Sequence, residues 1–172
     1  MTAPPAPDPA GLARPYAHPD EAGVLALLRS QAHRFVTRAV DSAAIDRDGH
    51  TPPAVLAAAA DAGLFGLTVP ESYGGAGLSL KAACAVVDDL AAHDRAVAIA
   101  VGLHAGLGSY PLVTAGDAAQ RDRYLPPMAR GDCIAAFAAT EGGAGSDLTA
   151  VTTTATADGD TLRLRGEKCY VT

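Results

Sequence analysis

Tryptophan is absent, and phenylalanine and tyrosine together supply only 5% of the 172 residues. A core without many large rings must be closed by aliphatic side chains at short interhelical distances. Cysteine is scarce as well. Cys84, Cys133 and Cys169 are odd in number and show no C-x-x-C spacing, which excludes a disulfide framework and a cysteine zinc site. They read as buried free thiols in a reducing cytoplasm. The histidines, at positions 18, 33, 50, 93 and 104, have no H-x-x-x-H spacing, so they read as surface or core residues and not as metal ligands. Positive charge is in the minority, with 13 Lys and Arg against 19 Asp and Glu. That balance argues against nucleic acid as the main partner, because phosphate binding needs clustered cations. There is no unbroken apolar run of membrane-spanning length, so no spanning helix is expected. The N-terminus lacks a basic stretch followed by an apolar one, the mark of a secretory signal. Rich in proline, residues 1–19 read as a flexible arm.

What the chain does have is small apolar residues. Apolar types reach 49%, much of it alanine, which loses no side-chain entropy in a helix. From Asp20 to about Asp46, Val24, Leu27, Leu28, Phe35 and Val40 recur on one helical face, with Arg29, Arg34 and Arg38 elsewhere. Gly49 ends that helix. Thr51 reads as an N-cap with Pro52 at the first helical position of a second helix, which runs through Val55–Asp61 and stops at Gly63. A glycine-rich loop, 64–77, follows. Ser79 caps a third helix reaching His93, another spans Ala96–Gly108, and Asp117 opens a short one that Pro126 and Pro127 end.

The period then changes. Ile134–Ala139 is a short apolar run that reads as a buried strand. Val151–Thr156 is β-branched, Asp158-Gly159 signals a hairpin, and Leu162 and Leu164 alternate with Arg163 and Arg165 as in a half-buried strand. Cys169–Thr172 reads as a further strand. The fold class is therefore mainly α, with the first strands of a β domain behind it.

Between these strands lies Phe137-Ala138-Ala139-Thr140-Glu141-Gly142-Gly143-Ala144-Gly145-Ser146-Asp147. Successive amides in such a turn form a nest for an anion, and the same composition also suits a plain tight turn. It is neither a P-loop nor the dinucleotide fingerprint, since no G-K-[ST] and no G-x-G-x-x-G is present.

Four segments in order bear a resemblance to the acyl-CoA dehydrogenase family: 64–77, Tyr124–Asp132, Thr140–Asp147 against the family's TEPGAGSD, and Gly166–Thr172 against its G-x-K-x-[WY]-I-T. Gly142 departs from the family's usual proline. The resemblance covers roughly residues 20–172. It implies a helical domain over 20–131 and the beginning of a middle β domain over 132–172, with FAD bound between that β domain and a C-terminal helical bundle. The implied chemistry is α,β-dehydrogenation of an acyl thioester, acyl-CoA or acyl-carrier. Electron-transfer flavoprotein or oxygen would accept the electrons, in a cytoplasmic homo-oligomer when full length. It further implies that Phe137, Ala139, Thr140, Gly145, Ser146, Tyr170 and Thr172 contact the flavin cofactor. Ser146 would also reach the thioester-CoA arm, and Ile99, Ala100 and Leu103 the acyl chain. Taken singly, Phe137 and Tyr170 are more often core residues, Thr140 and Thr172 more often ordinary strand threonines, and a stripe such as 99–103 more often plain core. Glu71 and Tyr73 sit in a loop that resembles one near the site, or form a structural turn. The family's catalytic Glu lies in the C-terminal bundle, so no base is assigned here and Glu141 is not promoted to that role. The expectation is an N-terminal portion of the enzyme, inactive alone. A related flavoenzyme on the same scaffold (a carrier-linked dehydrogenase or a monooxygenase) and a split or accessory subunit are the alternatives.

Overall fold

The computed structural model describes residues 19–171. Residues 1–18 of the expected arm, His18 included, and Thr172 lie outside the described residues. The chain divides between Ala135 and Ala136 into two compact units.

The first unit is helical. Helix α1 (Glu21–Ala39) is capped by Asp20, whose carboxylate accepts the Gly23 amide at 3.1 Å. Its buried stripe is Leu28, Ala32, Phe35 and Val36; Leu27, expected on that face, is 55% exposed. The single helix expected to Asp46 breaks at Val40, which is extended (φ −108°, ψ 115°). Asp41 is the cause. Its side chain accepts the Ala44 amide at 3.0 Å and starts a new helix, α2 (Ser42–Asp48), which Gly49 ends. Helix α3 (Pro53–Asp61) begins one residue later than expected, with Pro52 in the cap position and Pro53 first in the helix. A residue preceding proline is driven extended, and proline's own fixed φ suits the first helical turn.

The loop after α3 is the centre of the core and not a surface connection. Leu64, Phe65, Leu67 and Val69 have no exposed area. Its buried backbone is paired by folding back on itself: Ala76 donates to the Gly66 carbonyl (2.8 Å), Gly77 to Val69 (2.8 Å) and Leu78 to Leu67 (2.9 Å). Helix α4 (Leu80–Ala91) starts at Ser79, whose hydroxyl accepts the Ala82 amide. The Ser79 amide in turn donates to the Glu21 carboxylate at 2.7 Å, tying the starts of α1 and α4 together.

Helix α5 (Arg95–Leu103), capped by Asp94, passes through a widened turn, His104–Ser109, into α6 (Tyr110–Ala115). It therefore runs beyond the expected end at Gly108. The Thr68 hydroxyl donates to the Ala105 carbonyl (2.9 Å), pairing a polar group of that turn from outside the helix. By length and composition Arg95–Ala115 is long and apolar enough to cross a bilayer, although His104 and Ser109 interrupt its apolar residues. In this unit it is a core helix, burying Val97, Ala98, Val101, Ala105 and Val113. Helix α7 (Ala118–Ala129) opens with a reciprocal capping box between Asp117 and Gln120. Pro126 and Pro127 do not end it. They occupy its last turn, where each lacks the amide that would donate to the ladder, and buried Leu125, Met128 and Ala129 hold the turn to the core despite that loss.

The second unit is mostly irregular. Strands β1 (Thr154–Asp158) and β2 (Thr161–Arg165) pair antiparallel, Asp158 opposite Thr161. Gly159 supplies the positive φ (61°) that the two-residue turn requires. Both strands are exposed throughout, so β2 is not half-buried: Leu162 is 72% and Leu164 73% exposed. Leu164 stands opposite Ala155 and Leu162 opposite Ala157, so one side of the ribbon is wholly apolar, yet no other sheet strand lies beside it among the described residues. Two further expected strands do not form. Over Ile134–Ala139, Ile134 is 40% and Phe137 46% exposed, and the Ala139 carbonyl is taken by the Lys168 ammonium (2.9 Å) instead of a ladder. Over Cys169–Val171, the described part of the other, one amide, that of Cys169, meets the Thr140 carbonyl (2.9 Å), and Tyr170 then turns to φ 55°. The cysteines are free, as expected, but not buried: Cys84 and Cys133 are exposed and Cys169 half-buried.

Candidate functional site

The turn at 141–144 is closed by two hydrogen bonds, Glu141 amide to Ala144 carbonyl (2.9 Å) and Ala144 amide to Glu141 carbonyl (3.1 Å). Neither Gly142 nor Gly143 has positive φ. Types I′, II and II′ are thereby eliminated and a type I turn remains, with Gly142 at its second position. A Cβ at Gly142 would meet nothing within 4 Å, and its amide makes no hydrogen bond among the described residues. Proline is favoured at this position. Gly142→Pro is therefore expected to stabilise the protein by about 0.4–1 kcal/mol through the unfolded state. Urea titration of both forms checks the sign; a lower midpoint would mean the turn is not type I.

Below the turn sits a side chain that accepts five hydrogen bonds. The Glu141 carboxylate is buried. One oxygen accepts from the Thr152 amide (2.8 Å) and hydroxyl (2.6 Å), the other from the Thr153 amide (3.0 Å), the Thr153 hydroxyl (2.5 Å) and the Lys168 ammonium (2.9 Å). The Thr152 and Thr153 hydroxyls, then Lys168, hold its carboxyl far below the ordinary carboxylate range, and desolvation opposes them only weakly. The sign follows from the depressed folded value. The carboxylate's contribution to stability is complete above the unfolded pKa of about 4.3 and is lost as pH falls toward the much lower folded one. This bonding also explains why β1 begins at Thr154 and not at Val151: the preceding amides are already spent on Glu141. A cavity of about 350 Å³ lies beside the carboxylate, lined in part by Gly142, Gly143, Thr152, Glu167 and Cys169.

The described residues among those expected to contact a flavin belong to the same unit as this node, and Thr172 lies outside the described residues. Ala139 and Thr140 are half-buried and bonded through their carbonyls to Lys168 and Cys169. Gly145 and Ser146 are exposed, and their amides donate to no described residue; neither does the Thr140 hydroxyl. Phe137 and Tyr170 present open rings, 46% and 89% exposed, so neither is the core residue that its type alone suggests. In the first unit, Ile99 (43% exposed) and half-buried Ala100 and Leu103 lie on the side of α5 away from buried Val97, Ala98 and Val101. Leu107, not singled out by the sequence, continues that stripe. Tyr73 packs on the Val69, Val113 and Leu125 cluster, while Glu71 is exposed.

Sequence reasoning missed the roles of Lys168, Thr152 and Thr153. They lie 11 to 27 positions from Glu141, beyond any local pattern. His104 was read only as surface or core; it is core. Its Nδ1 accepts the Ala135 amide (3.0 Å) and its ring meets Phe65 edge-on at 5.1 Å. Burial pushes its pKa down. The Phe65 and Met128 backbone groups oppose that shift, and Nε2 has no hydrogen-bond partner among the described residues.

A helical unit built round a buried glycine loop, followed by a β unit whose turn is stitched by a carboxylate, defines the class: the N-terminal helical domain and the start of a β domain of an α+β protein. The sequence profile described as "Acyl-CoA dehydrogenase, N-terminal domain" matches residues 25–132, and the chain belongs to the acyl-CoA dehydrogenase family. It is 34% identical to a 3-(aryl)acrylate reductase of Clostridium sporogenes over 148 residues, which is 85% of this chain and 39% of that protein. Among solved structures, butyryl-CoA dehydrogenase from Megasphaera elsdenii superposes with a TM-score of 0.79 at 27% identity, over 86% of this chain and 40% of that one. An acyl-CoA dehydrogenase complexed with FAD from Bacillus anthracis gives 0.75 at 30% identity, over 96% and 30%. The chain thus spans about two-fifths of the length of the reductase.

Proposed function

We propose that this chain provides the helical domain and part of the flavin site of an FAD-dependent acyl-thioester dehydrogenase. The observation that carries this is the set of unused donors around one rigid turn. The Thr140 hydroxyl and the Gly145 and Ser146 amides engage no described residue, and the turn beneath them is fixed by Glu141. Such donors suit the carbonyl edge of a flavin ring and a pyrophosphate. Phe137, Ala139, Thr140, Gly145, Ser146, Tyr170 and Thr172 are the proposed cofactor contacts. Ile99, Ala100 and Leu103 are proposed to border the acyl chain, with Ser146 near the thioester-CoA arm. FAD, when bound, supplies the acceptor for the substrate's β-hydride. The residues of this chain orient and shield it, and none of them is assigned as base. Glu141 is unsuited to that task because all its bonding capacity is taken by five donors. We infer that the chain by itself does not turn over. Acyl-CoA or an acyl-carrier thioester as substrate, electron-transfer flavoprotein or oxygen as acceptor, and a homo-oligomeric cytoplasmic enzyme belong to the same proposal.

Flavin fluorescence titration of the purified 172-residue chain tests it. The expected result is saturable but weak FAD binding, lost on gel filtration and weakened by Thr140→Val. No bleaching of the flavin by an acyl-CoA is expected. Absence of any saturable signal would overturn the flavin reading and favour an accessory role.

A further inference from the structure

We infer that Glu141 is a positioning residue: its carboxylate locks the flavin-facing turn and the strand-like segment before Tyr170 into one arrangement. This rests on the flavin reading above and deepens it. Three stretches of chain meet at this one side chain. Through its own amide and carbonyl Glu141 closes the turn with Ala144. Through its carboxylate it takes both backbone amides and both hydroxyls of Thr152 and Thr153. Through Lys168 it reaches the Ala139 carbonyl, because the same ammonium donates to Glu141 and to Ala139, each at 2.9 Å. The next residue, Cys169, bonds the Thr140 carbonyl at 2.9 Å. The backbones of Ala139 and Thr140, and the approach to Tyr170, are therefore fixed by groups that converge on one carboxylate.

A carboxylate suits this place because it only accepts. Glutamine has nearly the same shape but carries an NH₂ group, which would point donors at donors on one side of the node. Glu141→Gln therefore removes the lock while keeping the volume. Depending on which oxygen the NH₂ replaces, either the Thr152 amide and hydroxyl or the Thr153 amide, its hydroxyl and the Lys168 ammonium lose their acceptor at a largely buried site, and groups left unpaired there are costly. Lys168→Met removes one donor and leaves the carboxylate and its threonine bonds.

The test is amide hydrogen exchange on the 172-residue chain, wild type, E141Q and K168M, together with FAD titration of each. In E141Q, exchange at Ala144, Thr152, Thr153 and Cys169 is expected to speed up about tenfold or more, with α1, α4, α5 and α7 unchanged as the internal control for folding. In K168M only Cys169 and its neighbours should respond. FAD affinity is expected to fall about tenfold in E141Q, with a shifted visible spectrum of the flavin that remains bound. Unchanged exchange at those four amides overturns the inference. So does altered exchange with wild-type FAD affinity and spectrum, which would make the node structural only. If the wild type binds no FAD, the flavin reading fails, and the exchange pattern alone decides whether Glu141 sets the turn. Should E141Q lose its helical protection, K168M decides: no change at Cys169 overturns the lock.

Discussion

Phe65→Ala is expected to destabilise the helical unit by about 3–5 kcal/mol. The ring has no exposed area, lies in the loop at the centre of the core, and meets His104 edge-on at 5.1 Å. The close-packed core around it collapses only partly into the space the ring leaves. Thermal unfolding should shift down by roughly 10–20 °C. Leu80→Ala, at a position 38% exposed, should cost well under half as much, about 1 kcal/mol. Equal losses for the two would show that the loop is not the core.

Gly75→Ala should be nearly as damaging, for a different reason. A Cβ there would stand 2.5 Å from the Val69 Cβ and closer still to the Val69 carbonyl oxygen. Those atoms are backbone or rooted in it, and Val69 is itself fully buried, so no side-chain rotation relieves the clash. The loop has to open, at a cost of about 2–3 kcal/mol or more. Urea unfolding should show a lower midpoint at an unchanged m-value. An unaltered midpoint would mean that the two arms of the loop can separate freely.

Some of this was readable in advance. Ser79 and Asp117 each cap the helix that their residue type announces, and Gly159 turns the hairpin that Asp158-Gly159 signals. These are interactions between residues two to four apart, so the local sequence contains both partners. Where a competing local device was underweighted, the reading slipped: Asp41 interrupts a helix that apolar spacing alone would carry through Val40. The strands at the end failed differently. Periodicity shows which residues alternate, but a strand needs a partner to pair with. Ile134–Ala139 and Cys169–Val171 find single hydrogen bonds to His104, Lys168 or Thr140 where a ladder was expected.

The sequence by itself determined the helical class of the first unit, the caps at Ser79 and Asp117, the Asp158-Gly159 hairpin, and the order of segments that places the chain in its family. These depend on side-chain type at short spacing. Only the tertiary structure decided that the glycine loop at 64–77 is the core, that His104 is buried against Phe65, and that Glu141 is the anchor of the turn and not a free acid. Each of these depends on distance in space between residues far apart in the chain: a carboxylate looks the same in a sequence whether water or five donors surround it, and its chemistry is set by which of the two it meets.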